Sequence, residues 1–564
     1  MKHLHHMLLI IFVIQMNIQI NKKFIVTFGV TLQSLLFIFS FNLYAQNEKI
    51  QVTVSDGILE GRARDSVYIF KGVPYAAPPV GNLRWKAPQP LAKWSGIRNA
   101  IDFGPRPVQK SGILYEFRSK TMSEDCLYLN VWTTAKATDQ PHPVYIFIHG
   151  GSFIHGDGSQ PAYDGASMAK QGIVYVSINY RLGVFGFLAH PDLGQENKRE
   201  ASGNYGLLDQ LAAIKWVKEN IAAFGGDPER IIIGGESVGA QSISAHMASP
   251  LSKGLFSAAI AQSSSLLDSR RLIKSKQASE KLGQDFEALT KTSSIAEMRR
   301  ISEKRLLKIA SKVDPRRFKP TVDGYFLNQF PIDVFEAGKQ AKVPLLVGWN
   351  ADEVPALAFY RLKRATPANF RKRVSRIYGD DADEVLKYYP VTTKAEAKIA
   401  GSKLGSDWLI NYGTWRLAEL HAKSKAPVYR YLFDQPHPGL TSKTINDGSF
   451  FQIILKKLIN NAITGSAFHA AEIEYALGNL DVQRNYAWKP EDYTVSKHMQ
   501  NYFSNFIRTG NPNGDTTADL VKWPELDVSK KSKFLRIGLH PQVETESDTT
   551  KNRYLLLQKI RFAD

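Results

Sequence analysis

Apolar and polar residues alternate along Ile50-Gln51-Val52-Thr53-Val54, and the turn-forming Ser55-Asp56-Gly57 follows at once. That period of two predicts a half-buried strand and, with the turn, an antiparallel hairpin at a sheet edge. Farther on the pattern changes. Val144 to Ile148, Ile173 to Ile178, Ile231 to Ile233 and Val343 to Val347 are more continuously apolar, as expected of strands covered on both faces. Between the second and third, Leu207, Leu208, Leu211, Ile214, Val217 and Ile221 recur at helical spacing, and Gly225-Gly226 is placed to end the helix. Strands alternating with a helix predict an α/β fold with a central, mostly parallel sheet flanked by helices. Residues 270–340 and 355–425 are charged and helical in pattern, without a buried-strand signal. Insertions of this kind project from the C-terminal edge of an open sheet, so they are expected to roof a ligand crevice.

The first 45 residues depart from that pattern. Lys22-Lys23 precedes an apolar stretch from Phe24 to Tyr44, and the small Ala45 precedes polar Gln46-Asn47. This predicts a signal peptide over 1–45, cleaved near Ala45 to release a secreted or periplasmic protein. The stretch is also long enough for an N-terminal membrane anchor, although Thr31, Gln33 and Ser34 in its interior favour export. The residues before Met16 duplicate leader features with their own run from Leu8 to Val13, which makes Met16 an alternative start. No repeat or Pro/Gly-rich linker divides the chain after Ala45, and 46–564 is expected to form a single catalytic domain.

Cys126 is the only cysteine, so no disulfide forms within the chain. A secreted protein held by its core alone suits a bacterial periplasm or exterior. Removing 1–45 takes away three lysines and no acid, lowering the formal charge from +19 to +16. The densest basic stretches, Arg299 to Lys319 and Arg361 to Arg376, read as solvated helix faces or as a source of weak association with anionic surfaces. No nucleic-acid-binding motif accompanies them.

The chemistry centres on Gly235-Glu236-Ser237-Val238-Gly239, which joins the Ile231 run to a stretch with helical character beginning near Ala240. A serine between two glycines on a strand-to-helix turn is held with its hydroxyl projecting outward, the nucleophile elbow of an α/β-hydrolase. Such a serine needs a base and an orienting acid, which in these folds come after it in the order acid, histidine. Gly348-Trp349-Asn350-Ala351-Asp352-Glu353 comes after the Val343 strand, and Ala467-Phe468-His469-Ala470-Ala471-Glu472 lies farther on. Among 53 acids and 13 histidines, spacing alone does not choose between them.

Several separate strings narrow the choice. Gly72-Val73-Pro74-Tyr75-Ala76 with Leu83-Arg84-Trp85, the stretch Ser123 to Val131, and Gly203 to Gln210 are three of them. Phe224-Gly225-Gly226-Asp227-Pro228 and Arg508-Thr509-Gly510-Asn511-Pro512 are two more. Over most of the chain after Ala45 these resemble the type-B carboxylesterase/lipase family, which includes the cholinesterases. The resemblance implies an α/β-hydrolase fold, no cofactor or metal, a small-molecule ester as partner, and a triad of Ser237, Glu353 and His469. Val354 stands where the family typically has glycine, which leaves Asp352 as the alternative acid. The N–H groups of Gly151, Ser152 and Ala240 are implied as an oxyanion hole, with Ser152 where glycine or alanine is common. Ser263 resembles a serine that supports the triad, and Cys126 one that forms a disulfide in cholinesterases but here is expected to be a buried thiol. Glu236, beside the nucleophile, is either solvated or involved in placing a leaving group or water. Gly104 to Met122 holds Tyr115 and Phe117 but no tryptophan, unlike the loop that binds quaternary ammonium in cholinesterases. The expected function is carboxylic ester hydrolysis on small to medium esters. A lipase, or a catalytically silent adhesion protein of the same fold, is the alternative.

Overall fold

The computed structural model describes residues 48–561 apart from 111, 113–115, 198, 269–271 and 515–519. The leader expected over 1–45 and the aromatic Tyr115 lie outside the described residues. The strands, in chain order, are β1 (Lys49–Val54), β2 (Gly57–Arg64), β3 (Val67–Pro74), β4 (Ile97–Asn99), β5 (Tyr128–Thr133), β6 (His142–Ile148), β7 (Val174–Ile178), β8 (Gly226–Glu236), β9 (Ala258–Gln262), β10 (Lys274–Ser275), β11 (Thr321–Val322), β12 (Leu345–Asn350), β13 (Val428–Phe433), β14 (Lys533–Ile537) and β15 (Gln542–Thr545). Thirteen form one sheet in the order β1-β2-β3-β5-β7-β6-β8-β9-β12-β13-β14-β15, with β4 beside β2. From β7 to β14 every pairing is parallel. β1, β2, β3 and β5 add an antiparallel edge, and the Ile50 alternation forms the expected hairpin.

The apolar runs are explained by burial on both faces. In β6, Val144, Ile146 and Ile148 enter one core while Tyr145 and Phe147 enter the other. The first core is covered by α1 (Tyr205–Asn220), through Leu207, Leu211, Ile214 and Val217, whereas Leu208 is only half-buried. A 3₁₀ turn, Ile221–Phe224, follows α1 and carries Ile221. Gly225 then takes φ 75°, but Gly226 is already the first residue of β8. β12 begins two residues later than the apolar run that predicts it, because Pro344 has no N–H to give the ladder.

The functional region is framed by α2 (Val238–Ala248), α3 (Ala356–Phe359), α4 (Lys394–Ser406) and α5 (Phe450–Ile463). The second core is covered by α6 (Pro490–Thr509). The segments expected to be helical insertions are helical, and a separate core forms around Trp349, Val354, Phe359, Phe370, Leu404 and Tyr554. The small parallel pair β10/β11, both strands in the first insertion, escapes pattern reading because each strand is two residues long.

Candidate active site

Three strand ends meet at the site. β8 runs directly into Ser237, which takes φ 57° and ψ −122° before α2 begins, a costly conformation for a residue with a side chain. Its N–H donates to the Gln262 carbonyl at 2.9 Å. The flanking glycines are forced by β6: a Cβ on Gly235 would stand 2.5 Å from the Ile148 carbonyl oxygen, and one on Gly239 only 2.1 Å from it.

His469 lies across the sheet end. Its Nε2 is 2.9 Å from Ser237 Oγ, and its Nδ1 is 2.6 Å from Glu353 Oε2. The other Glu353 oxygen accepts the Asn350 N–H at 2.7 Å, so the carboxylate is fixed at both oxygens. Asp352, the alternative acid, is not on the histidine. The residue borders a separate cavity, and its backbone N–H donates to the Ala467 carbonyl at 3.0 Å, tying the acid turn to the histidine loop. Val354 keeps that turn intact. Its N–H donates to Ser406 Oγ and its carbonyl accepts from Ser402, while its side chain lies where a Cβ on Gly405 would be 2.9 Å away. A glycine in α4 thus makes room for the valine.

Beyond β6, His149-Gly150-Gly151-Ser152 faces the elbow. A Cβ on Gly150 would meet Glu236 Oε2 at 2.9 Å and Ser237 Cβ at 3.2 Å, and one on Gly151 would meet the His155 carbonyl at 2.1 Å. Gly151 has φ 103° and Ser152 φ 59°. Among the described residues neither N–H donates to a protein acceptor. Ala240 is the third residue of α2, where a backbone N–H has no intrahelical partner. The His149 carbonyl accepts from Tyr180 Oη at 2.9 Å, and burial pushes the His149 pKa down to about 4, so this ring is neutral.

Two further carboxyl groups surround the histidine. Glu236 is not solvated: it is 3% exposed, with Oε1 3.2 Å from His469 Nε2. Glu472, wholly buried, accepts from Asn350 Nδ2 at 2.6 Å, Ser263 Oγ at 3.3 Å and Gln262 Nε2 at 3.4 Å. Asn350 Nδ2 also donates to the Phe468 carbonyl at 2.7 Å. Ser263 therefore reaches the histidine loop through Glu472. The sequence pattern assigns no role to Asn350 or Glu472, and their only signal there is nearness to Glu353 and His469. Cys126 is a buried thiol whose pKa burial pushes well up.

Burial alone would depress the His469 imidazole, but the carboxylates of Glu236 and Glu353 outweigh it and lift its pKa to about 10. Burial also pushes Glu236 well above the usual carboxylate range and Glu472 up to about 7. Both groups give up their protons less readily than an exposed carboxyl does, and it is in the charged form that Glu236 stabilises the imidazolium. About a third of the His469 side chain, 32%, is open to solvent, which screens it more than the buried acids.

A hydroxyl on a strained elbow, an imidazole aligned on it and a parallel sheet presenting both at its C-terminal end define an α/β-hydrolase of the serine type. The carboxylesterase family model matches residues 48–555, and the chain belongs to that family. It is 33% identical over 530 residues to the para-nitrobenzyl esterase of Bacillus subtilis, covering 90% of this chain and 99% of that one. It is 40% identical over 378 residues to a fumonisin B1 esterase of Sphingopyxis macrogoltabida, covering 67% and 69%. A solved carboxylesterase of Geobacillus stearothermophilus superposes with a TM-score of 0.73 at 31% identity, covering 90% of this chain and all of that one. The protein is a serine carboxylesterase, a carboxylic ester hydrolase.

Proposed function

We propose that this chain hydrolyses small to medium carboxylic esters through an acyl-enzyme on Ser237, with His469 as base and Glu353 as its orienting acid. The observation that carries the reading is the line Glu353 Oε2, His469 Nδ1, His469 Nε2, Ser237 Oγ, with contacts of 2.6 and 2.9 Å. His469 Nε2 takes the hydroxyl proton as Ser237 Oγ attacks the ester carbonyl, and Glu353 stabilises the imidazolium. The N–H groups of Gly151, Ser152 and Ala240 receive the charge that develops on the carbonyl oxygen. The C–O bond to the alcohol breaks, and His469 returns the proton to the leaving oxygen. Water, deprotonated by the same nitrogen, then releases the acid and restores Ser237. Glu236 Oε1 lies beside that nitrogen and is placed to hold the incoming water. The alignment of all three groups speaks against a silent adhesion protein. The leader pattern supports export, and mass spectrometry of the exported fraction would show a chain beginning at Gln46; an intact N-terminus retained in membranes would replace export with anchoring.

The test is hydrolysis of p-nitrophenyl butyrate by the chain from Gln46 and by Ser237→Ala. The parent should turn over and the variant should lose at least about 10⁴-fold in kcat. A folded parent without activity, or an active variant, would sink the proposal.

A further inference from the structure

Helix α5 exposes a broad apolar arc. Seven of its first ten residues are apolar, yet Ile463 is the only buried residue in the helix. Phe450 is 80% exposed, Phe451 70%, Leu458 47% and Ile454 43%. At 100° per residue these four share one arc of roughly 120° with Lys457 and Asn461. The opposite side carries Ile459 and the buried Ile463 together with Gln452 and Lys456, and Lys456 donates to the carbonyls of Thr444 and Asp447. The helix is firmly started, since Ser449 and Gln452 form a reciprocal capping box. A surface helix ordinarily keeps its large apolar residues inward; this one also carries four of them outward.

The patch extends beyond α5. Leu458 borders a cavity of about 860 Å³ together with Leu357 of α3 and Ile399 of α4, which are 36% and 68% exposed. Lys398 borders the same cavity. From Gly448 to Ala471 there is no acid, and among the described residues neither Lys398 nor Lys457 has an ion pair. Within the basic stretch that begins at Arg299, Arg299 itself is held by Glu196 and by the Arg84 carbonyl. The patch also adjoins the chemistry: α5 leads through residues 464–468 into His469, and α3 begins three residues after Glu353.

We propose that α5, with Leu357 and Ile399, docks on an anionic lipid surface, lying flat with its phenylalanines among the acyl chains and Lys398 and Lys457 at the phosphates. With 14 residues it is about 21 Å long, and no helix among the described residues is long and apolar enough to cross a membrane. Apolar residues flanked by lysine are the pattern of a helix that rests in the interface. A second copy of the chain is a poorer fit, because a self-paired α5, with no acid from Gly448 to Ala471, would bring Lys457 against its own copy. Docking would hold the active site over esters carried in the lipid layer; this part rests on the esterase reading above.

The chain from Gln46 contains every described residue, and its sedimentation with phosphatidylcholine vesicles, with and without phosphatidylglycerol, tests the docking without using activity. It should bind the anionic vesicles and be released by salt. Phe450→Ser/Phe451→Ser should lose at least about tenfold in partition while hydrolysing soluble p-nitrophenyl butyrate at the parental rate. Phe450→Ser alone should lose less, and Leu289→Ser, at an exposed leucine on another helix, should lose nothing. Absence of binding by the parent, or equal binding by the double variant, overturns the proposal. So does a parental dimer that the double variant dissolves without any vesicle binding, which would make α5 an interface between copies. Vesicle binding by a parent inactive on the soluble ester would keep the docking and sink the esterase reading.

Discussion

The two halves of the site are held by different forces. On the nucleophile side, the ends of β6 and β8 press backbone against backbone, so Gly150, Gly235 and Gly239 leave no room for a Cβ and Ser237 is driven to φ 57°. On the acid-base side little is decided by steric exclusion. Glu353 and His469 come from segments 116 residues apart, joined by Asn350, Glu472, Ser263 and the Asp352 to Ala467 backbone bond. The first half is rigid because hard atoms touch, and it leaves a compact signature in neighbouring residues. The second is positioned by buried polar groups that satisfy one another, and its members are scattered along the chain.

The largest test of that contrast is the acid. Glu353→Gln should lower kcat by about 10³ to 10⁴-fold, because the amide neither fixes the imidazole tautomer nor stabilises its charge. Asp352→Asn should change kcat less than about threefold, since its backbone contact survives; the reverse ranking in steady-state kinetics would transfer the role to Asp352. A smaller effect is expected from steric damage on the other half. Gly239→Ala places a Cβ 2.1 Å from the Ile148 carbonyl, and displacing that strand end by a fraction of an ångström should cost about 10²-fold in kcat/KM. It should also lower unfolding stability by about 1–3 kcal/mol, read by denaturant titration. Wild-type values for both would show that the elbow is softer than its contacts imply.

The smallest effect concerns pH. A base must be neutral to accept a proton, so kcat/KM falls as pH drops through the His469 pKa, which its carboxylates raise above the ordinary 6.5. Glu236→Gln removes one of those carboxylates, so the acidic limb of the pH profile should move to lower pH, with the plateau reduced less than about tenfold. A limb that stays in place would assign the raised pKa to Glu353 alone.

Much of the architecture was legible because its causes are local. Apolar runs announced strands covered on both faces, and the leucine spacing announced α1. The glycines around Ser237 announced the elbow, since only glycine tolerates such close backbone. Where the pattern and the fold part, the cause is also local: Pro344 delays β12, and β10 and β11 are too short to show a period. The elbow points to Ser237 by itself, whereas Glu353 and His469 rest on the family strings rather than on spacing, which leaves Asp352 open. Nothing in the sequence separated a solvated Glu236 from a buried one, because burial depends on the β6 end packing over it.

The sequence by itself determined the α/β class, the hairpin edge, the elbow and the pool of acids and histidines, because hydrophobic period and glycine placement act within a few residues. Only the tertiary structure decided which carboxylate meets His469, that Glu472 and Asn350 brace its loop, and that α5 turns its phenylalanines outward. Each of these depends on which surfaces the folded chain brings together, and the same helix sequence could have packed inward had a partner surface stood opposite it.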